Sequence, residues 1–175
     1  MMEAEQGKAT MTDTECRGFI MAFMNKREME KQAKQAEINA IKFKSNQASG
    51  DSFLQKNKEN PGVIVTASGL QYKVIKMGTG AKPTETDQVK VHYTGKLLDG
   101  SLVDSSREAE PYEFQLQPTG LIQGWIEALQ LMNKGSQFQL YIPYDLGYGE
   151  MGKAPKVPPY AVLVFELEVI DHTPQ

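Results

Sequence analysis

Two kinds of hydrophobic periodicity divide this chain. From about Thr12 to Ser45 a mainly apolar stripe recurs at alternating steps of three and four, through Phe19, Ala22, Lys26, Met29, Ala33, Ala36, Ala40 and Phe43, the spacing of one face of a helix. At a rise of about 1.5 Å per residue, such a helix extends on the order of 50 Å, more than a small globular domain needs. Its halves differ. Phe19, Ile20, Phe23 and Met24 put four large apolar groups on adjoining faces that call for a cover, whereas the second half is mostly Lys, Glu, Gln and Ala and can stand in water. Ser45 to Gly62 is polar, with Ser49-Gly50-Asp51 and Asn60-Pro61-Gly62 as breakers around Phe53-Leu54. The domain junction is expected here, giving a helical segment over 1–62 and a second domain over 63–175.

Beyond the junction the period becomes two. Leu70, Tyr72 and Val74 alternate with Gln71 and Lys73, and Val89, Val91 and Tyr93 alternate with Lys90, His92 and Thr94, which predicts half-buried antiparallel strands. Further strands are expected over Tyr112 to Leu116, Gln137 to Ile142 and Ala161 to Ile170. Between them Ile122, Trp125, Ile126, Leu129 and Met132 follow helical spacing, with Gly135 as a stop. The predicted fold class is α+β: an antiparallel sheet around one short amphipathic helix, preceded by a long helix.

Composition narrows the partners. Nineteen Lys and Arg against 22 Asp and Glu give a net charge of −3 over 175 residues, so no general attraction for a phosphate backbone exists and nucleic acid is not expected as a partner. The single cysteine, Cys16, excludes an intramolecular disulfide and is expected to be a half-buried small apolar residue. No apolar run approaches a membrane span, and residues 1–15 lack a signal-peptide core.

The candidate chemistry lies in separated blocks: Val91-His92-Tyr93-Thr94-Gly95, Asp99-Gly100, Asp104-Ser105-Ser106, Gly120-Leu121-Ile122-Gln123-Gly124-Trp125, Tyr148-Gly149, Pro158-Pro159 and Ala161 to Leu167. They place several aromatic side chains among few catalytically able groups, which points to a hydrophobic cleft acting by solvation and shape. His92 faces away from Tyr93 by strand alternation, and His172 falls in the polar C-terminal tail, so neither is a candidate base.

In this order and spacing the blocks resemble the FKBP-type peptidyl-prolyl cis/trans isomerases over roughly residues 69–170. The resemblance implies a half-barrel curved around the short helix and rotation of Xaa-Pro bonds without metal or cofactor. It implies Asp104, Tyr148 and Trp125 as the catalytic set, with Trp125 the floor beneath the proline ring. Tyr93, Val103, Tyr112, Phe114, Leu121, Ile122, Val157 and Phe165 are the implied substrate-binding set, with the Ile122 N–H and the Tyr148 hydroxyl holding carbonyls of the bound segment. Implied partners are proline-containing unfolded or partly folded proteins and a rapamycin-type macrolide; a holdase chaperone or assembly module with little turnover is the alternative.

Departures from the family pattern bear on ligands. Val103 stands where the family usually has phenylalanine, Arg107-Glu108-Ala109-Glu110 offers no clear basic partner for Asp104, and Lys153 and Lys156 make the rim more polar. The amino-terminal helix and Asn60-Pro61-Gly62-Val63, leading to Ser68-Gly69-Leu70-Gln71-Tyr72, resemble the macrophage infectivity potentiator subgroup. That resemblance implies a homodimer through the N-terminal helix and a place in the bacterial cell envelope or periplasm, with a leader already removed; the cytoplasm is the alternative.

Overall fold

The computed structural model describes residues 12–117 and 119–174, apart from the side chains of residues 13, 15, 32, 36, 39 and 42. The chain divides into two compact units between Lys42 and Phe43. Helix α1 (Asp13–Asn57) begins in the first and ends in the second. In the first unit its large apolar residues are exposed, Phe19 at 67% and Phe23 at 55%. Cys16 is exposed as well, contrary to the expectation of partial burial, because no described element of that unit packs against the helix there.

The helix runs past the expected break at Gly50. Gly50 is buried, and a Cβ there would sit 2.7 Å from Cγ2 of Val162. This glycine therefore lets the helix approach the domain closely rather than ending it. Residues 43–62 accordingly go with the second unit: Phe53 lies 5.8 Å from the Tyr141 ring, Asn57 donates to Gln71 at 2.9 Å and Gln71 donates to the Leu54 carbonyl at 2.9 Å. The polarity that suggested a linker is that of a helix with one face on the sheet.

Beyond α1 the described residues of the second unit form seven strands, β1 (Val63–Val65), β2 (Gln71–Lys76), β3 (Gln88–Leu97), β4 (Leu102–Ser105), β5 (Tyr112–Gln115), β6 (Gln137–Ile142) and β7 (Leu163–Thr173), with helix α2 (Gln123–Leu131) between β5 and β6. All pairings are antiparallel, in the order β1-β2-β6-β7-β3-β4, and β5 also pairs with β3. The predicted α+β class with an antiparallel sheet around a short helix is the observed architecture. Alternation along the central strands supplies the core: Phe138, Leu140 and Ile142 from β6 and Leu163, Phe165, Leu167 and Val169 from β7 meet Trp125, Ala128 and Leu129 from α2. Burying each such large side chain contributes roughly 1.5 to 3 kcal/mol.

The two strands without a sequence expectation, β1 and β4, have three and four residues, too few to display a period. The C-terminal tail is also more ordered than its polarity suggests. His172 pairs with Val89 in the sheet, its Nδ1 lying 2.8 Å from Asp87 Oδ2 and its Nε2 3.1 Å from the Ala81 carbonyl.

Candidate active site

Strand β3 carries the site because it has different partners along its length. Its first part pairs Val91 with Tyr112 of β5; further on, Gly95 faces Asp104 of β4 on one side and Phe165 of β7 on the other. Tyr93 lies between these pairings on the core-facing side of the strand, and the aromatic residues of three neighbours converge on it. Gly95 makes the convergence possible, since a Cβ there would lie 2.4 Å from Cε1 of Phe165. With no side chain at 95, the Phe165 ring lies against the strand.

These rings enclose a cavity of about 410 Å³, within the range that holds a small ligand or a short side-chain segment. Trp125 lies beneath it, with ring centroids 4.9 Å from Tyr93 and 5.3 Å from Phe165 at interplanar angles of 75° and 83°. Such edge-to-face geometry suits the aromatic quadrupole. The Trp125 Nε1 is buried with no conventional hydrogen-bond partner among the described residues, and the ring faces around it are its available weak acceptors.

Nine of the eleven sequence-derived site residues line this cavity: Tyr93, Val103, Asp104, Tyr112, Leu121, Ile122, Trp125, Tyr148 and Phe165. Phe114 lies one tier behind, 5.2 Å from Tyr112 and 6.0 Å from Trp125, and Val157 lines an adjoining recess. Gly120, Gln123, Gly147 and Lys153 complete the wall. Lys153 is the rim lysine that the sequence marks as a departure from the family pattern, whereas Gly120, Gln123 and Gly147 carry no apolar signal that would single them out.

The polar groups sit at the rim. Tyr93 donates its hydroxyl to Asp104 Oδ2 at 2.8 Å, and Ser105 N–H donates to Asp104 Oδ1 at 3.0 Å. Burial first, and the Asp104 carboxylate second, push the Tyr93 phenol well above its ordinary value, so it remains a donor throughout the neutral range. Arg107 pairs instead with Glu166 and Glu168, so Asp104 is held by a phenol and an amide. Ile122 occupies the N-cap position of α2 with extended backbone, φ −71° and ψ 143°. Among the described residues no acceptor meets its N–H or the Tyr148 hydroxyl, which leaves two donors at the cavity mouth. His92 is on the other face, its Nδ1 3.2 Å from Ser106 Oγ.

The candidate site is an aromatic box with a carboxylate and donors at its edge, on an antiparallel sheet packed over one helix. Residues 79–170 match the family described as FKBP-type peptidyl-prolyl cis-trans isomerase, and residues 1–74 match the domain amino-terminal to it. The chain belongs to the FKBP-type isomerase family. It is 47% identical over 135 residues to the FKBP-type 22 kDa peptidyl-prolyl cis-trans isomerase of Escherichia coli, covering 77% of this chain and 65% of that protein. It is 46% identical over 136 residues to the outer membrane protein MIP of Legionella longbeachae, covering 77% and 57%. The crystal structure of FkpA from Escherichia coli superposes with a TM-score of 0.77 at 35% identity, over 95% of this chain and 76% of that one. The chain thus spans 57% to 65% of the length of these two curated relatives. No helix among the described residues is long and apolar enough to cross a membrane.

Proposed function

We propose that this chain catalyses cis/trans rotation of Xaa-Pro bonds in unfolded or partly folded proteins. The observation that carries the reading is the ring-walled cavity over Trp125 with the Ile122 N–H and Tyr148 O–H unengaged at its mouth. Rotation faces a barrier of about 18 to 20 kcal/mol because the planar amide must lose its resonance, and proline leaves the exchange slow. The twisted amide has less charge separation than the planar one. Apolar walls that strip water from the bond therefore favour the twisted form. The two rim donors fix carbonyls of the segment, and the Asp104 carboxylate, held by Tyr93 and Ser105, shapes the field at the rotating bond. Lowering the barrier by about 6 to 8 kcal/mol multiplies the rate by about four to six powers of ten.

The proposed site is Asp104, Tyr148 and Trp125 for catalysis, with Tyr93, Tyr112, Leu121, Ile122 and Phe165 around the proline and Val103, Phe114 and Val157 shaping the walls. A rapamycin-type macrolide is the proposed competing ligand, weakened by the short Val103 side chain, which removes a ring from the wall. The exposed Phe19, Ile20, Phe23 and Met24 support a homodimer through the first unit, and the likeness to a protein named for the outer membrane supports a place in the bacterial envelope or periplasm. The deciding experiment is a proline-switch assay on peptides, paired with refolding of a proline-limited protein. Acceleration of both that a Tyr148→Phe substitution reduces is the expected result. Suppressed aggregation without any acceleration would overturn the reading in favour of a holdase.

A further inference from the structure

We propose that the recess beside the aromatic cleft, bordered by Lys153 and Lys156, is a subsite for an acidic side chain of the bound segment, close to its proline. The inference rests on the proposed function for the presence of a proline segment in the cleft. The charge selectivity is read from the recess itself.

Val103, Asp104, Tyr148 and Lys153 line both the main cavity and a second recess of about 260 Å³, whose outer wall is residues 154–157. A chain crossing the cleft therefore has a continuous path into it. The wall is built rather than loose. Lys153 N–H donates to the Val157 carbonyl and Val157 N–H to the Lys153 carbonyl, both at 2.8 Å, and Gly152 N–H donates to the Tyr148 carbonyl at 3.1 Å. This small hairpin sets Lys153 Nζ 5.1 Å from the Tyr148 ring centroid, where the ring face holds the ammonium at the junction of the two cavities.

The charge there is not balanced. Among the described residues neither Lys153 nor Lys156 forms an ion pair, whereas Lys90, Arg107 and Lys134 all do. The one carboxylate of the recess, Asp104, already accepts on both oxygens, from Tyr93 and Ser105. Along the same stretch of chain, Asp145 accepts from the Leu146 N–H and Glu150 is engaged by the Tyr160 hydroxyl, and neither lines the recess. Two ammonium groups thus border a partly enclosed space lined by one carboxylate, which keeps its charge because its donors are a neutral phenol and an amide, so the recess holds one positive charge in excess and a carboxylate entering from the substrate balances it. A basic residue at the same place meets like charge.

The chain has one tryptophan, and it floors the cleft, so its emission reports occupancy without turnover. The test titrates the full chain with proline peptides identical except for Glu, Gln or Lys at each of the two positions on either side of the Xaa-Pro pair. At one of these positions Glu is expected to bind about three- to five-fold more tightly than Gln, and Lys more weakly, at low salt. The difference should shrink in about 0.5 M salt and vanish in Lys153→Gln/Lys156→Gln. Equal affinity of Glu and Gln peptides at every position, or a preference that survives the double substitution, overturns the subsite. Turnover of the Gln peptide is measured separately: its absence alongside an intact affinity ratio would sink the isomerase reading alone.

Discussion

Phe138 and Phe19 are the same residue in two different situations. The first is 1% exposed between sheet and helix and the second is 67% exposed on α1. Both lie in regular elements with a clear apolar pattern, so hydrophobicity along the sequence marks a surface that wants covering without naming the cover. In the second unit the cover is the chain itself. In the first the described residues supply none, and an exposed apolar stripe of that kind points outward to association.

The contrast is tested most sharply where it is strongest. Trp125→Ala removes the floor of the cleft and a core side chain together. It is expected to cut kcat/KM for proline peptides by about a hundred-fold or more, a loss of about 2.7 kcal/mol, and to lower stability by about 3 to 5 kcal/mol. Trp125→Phe should keep most of the stability and lose less activity. Unchanged activity in both variants, read beside urea unfolding, would remove Trp125 from the site.

Truncation asks where the self-covered region begins. Removing residues 1–42 should leave the unfolding free energy within about 0.5 kcal/mol and abolish self-association seen by light scattering. Removing residues 1–62 should leave a folded domain still active on short peptides, at a cost of about 2 to 4 kcal/mol. That deletion strips Phe53 from Tyr141 and leaves the buried Gln71 without Asn57 and the Leu54 carbonyl. Gly50→Ala, which crowds Val162, should cost about 1 to 3 kcal/mol. Equal stability of the two truncated forms would place the boundary at Gly62 after all.

Within the second unit, Asp104→Asn should lower kcat about ten-fold, with little change in KM, because its contribution is made while the amide twists. His92→Ala, on the far face beside Ser106, should change either constant less than two-fold. Large equal losses in both variants would mean that the cleft lies on the other face of β3.

The smallest expected effect is on pH dependence. The Thr84 hydroxyl and N–H, then His172, hold the Asp87 carboxyl below its ordinary 3.8. Between the folded and unfolded values the unfolded chain binds more protons, so this stabilisation is complete above about pH 4 and is lost as pH falls through the lower folded value. Asp99 and Asp171 are lowered too. Asp87→Asn should therefore reduce, without removing, the fall in urea midpoint between about pH 5 and pH 2.

How much of this was legible depended on element length and on partners. The long alternating runs gave β2, β3, β6 and β7 to within a few residues, since one face of each is buried. The short β1 and β4 exist through pairing alone. Gly50 was read as a breaker because its packing partner, Val162, lies far along the chain. The candidate cleft was legible through the joint spacing of the aromatic blocks and its likeness to a known family; taken singly, Tyr93 or Phe165 reads as ordinary core. Phe114 fell behind the cavity because the register with β3 sets it opposite Val89, two residue pairs from Tyr112.

The sheet order carries a consequence for how the protein is made. Strand β7 lies between β6 and β3, and among the described residues no other pairing joins them. A nascent chain that has emerged only as far as Val162 thus holds two separate sets of strands, β1-β2-β6 and β3 with its two partners β4 and β5, each with an unsatisfied edge. Closing β3 against β7 spans Gln88 to Thr173, the kind of long-range pairing that slows folding and leaves edges open to wrong partners. A chain proposed to relieve other proteins of slow steps therefore delays its own completion until its seventh strand is released, and during that interval it is itself the kind of client it would serve.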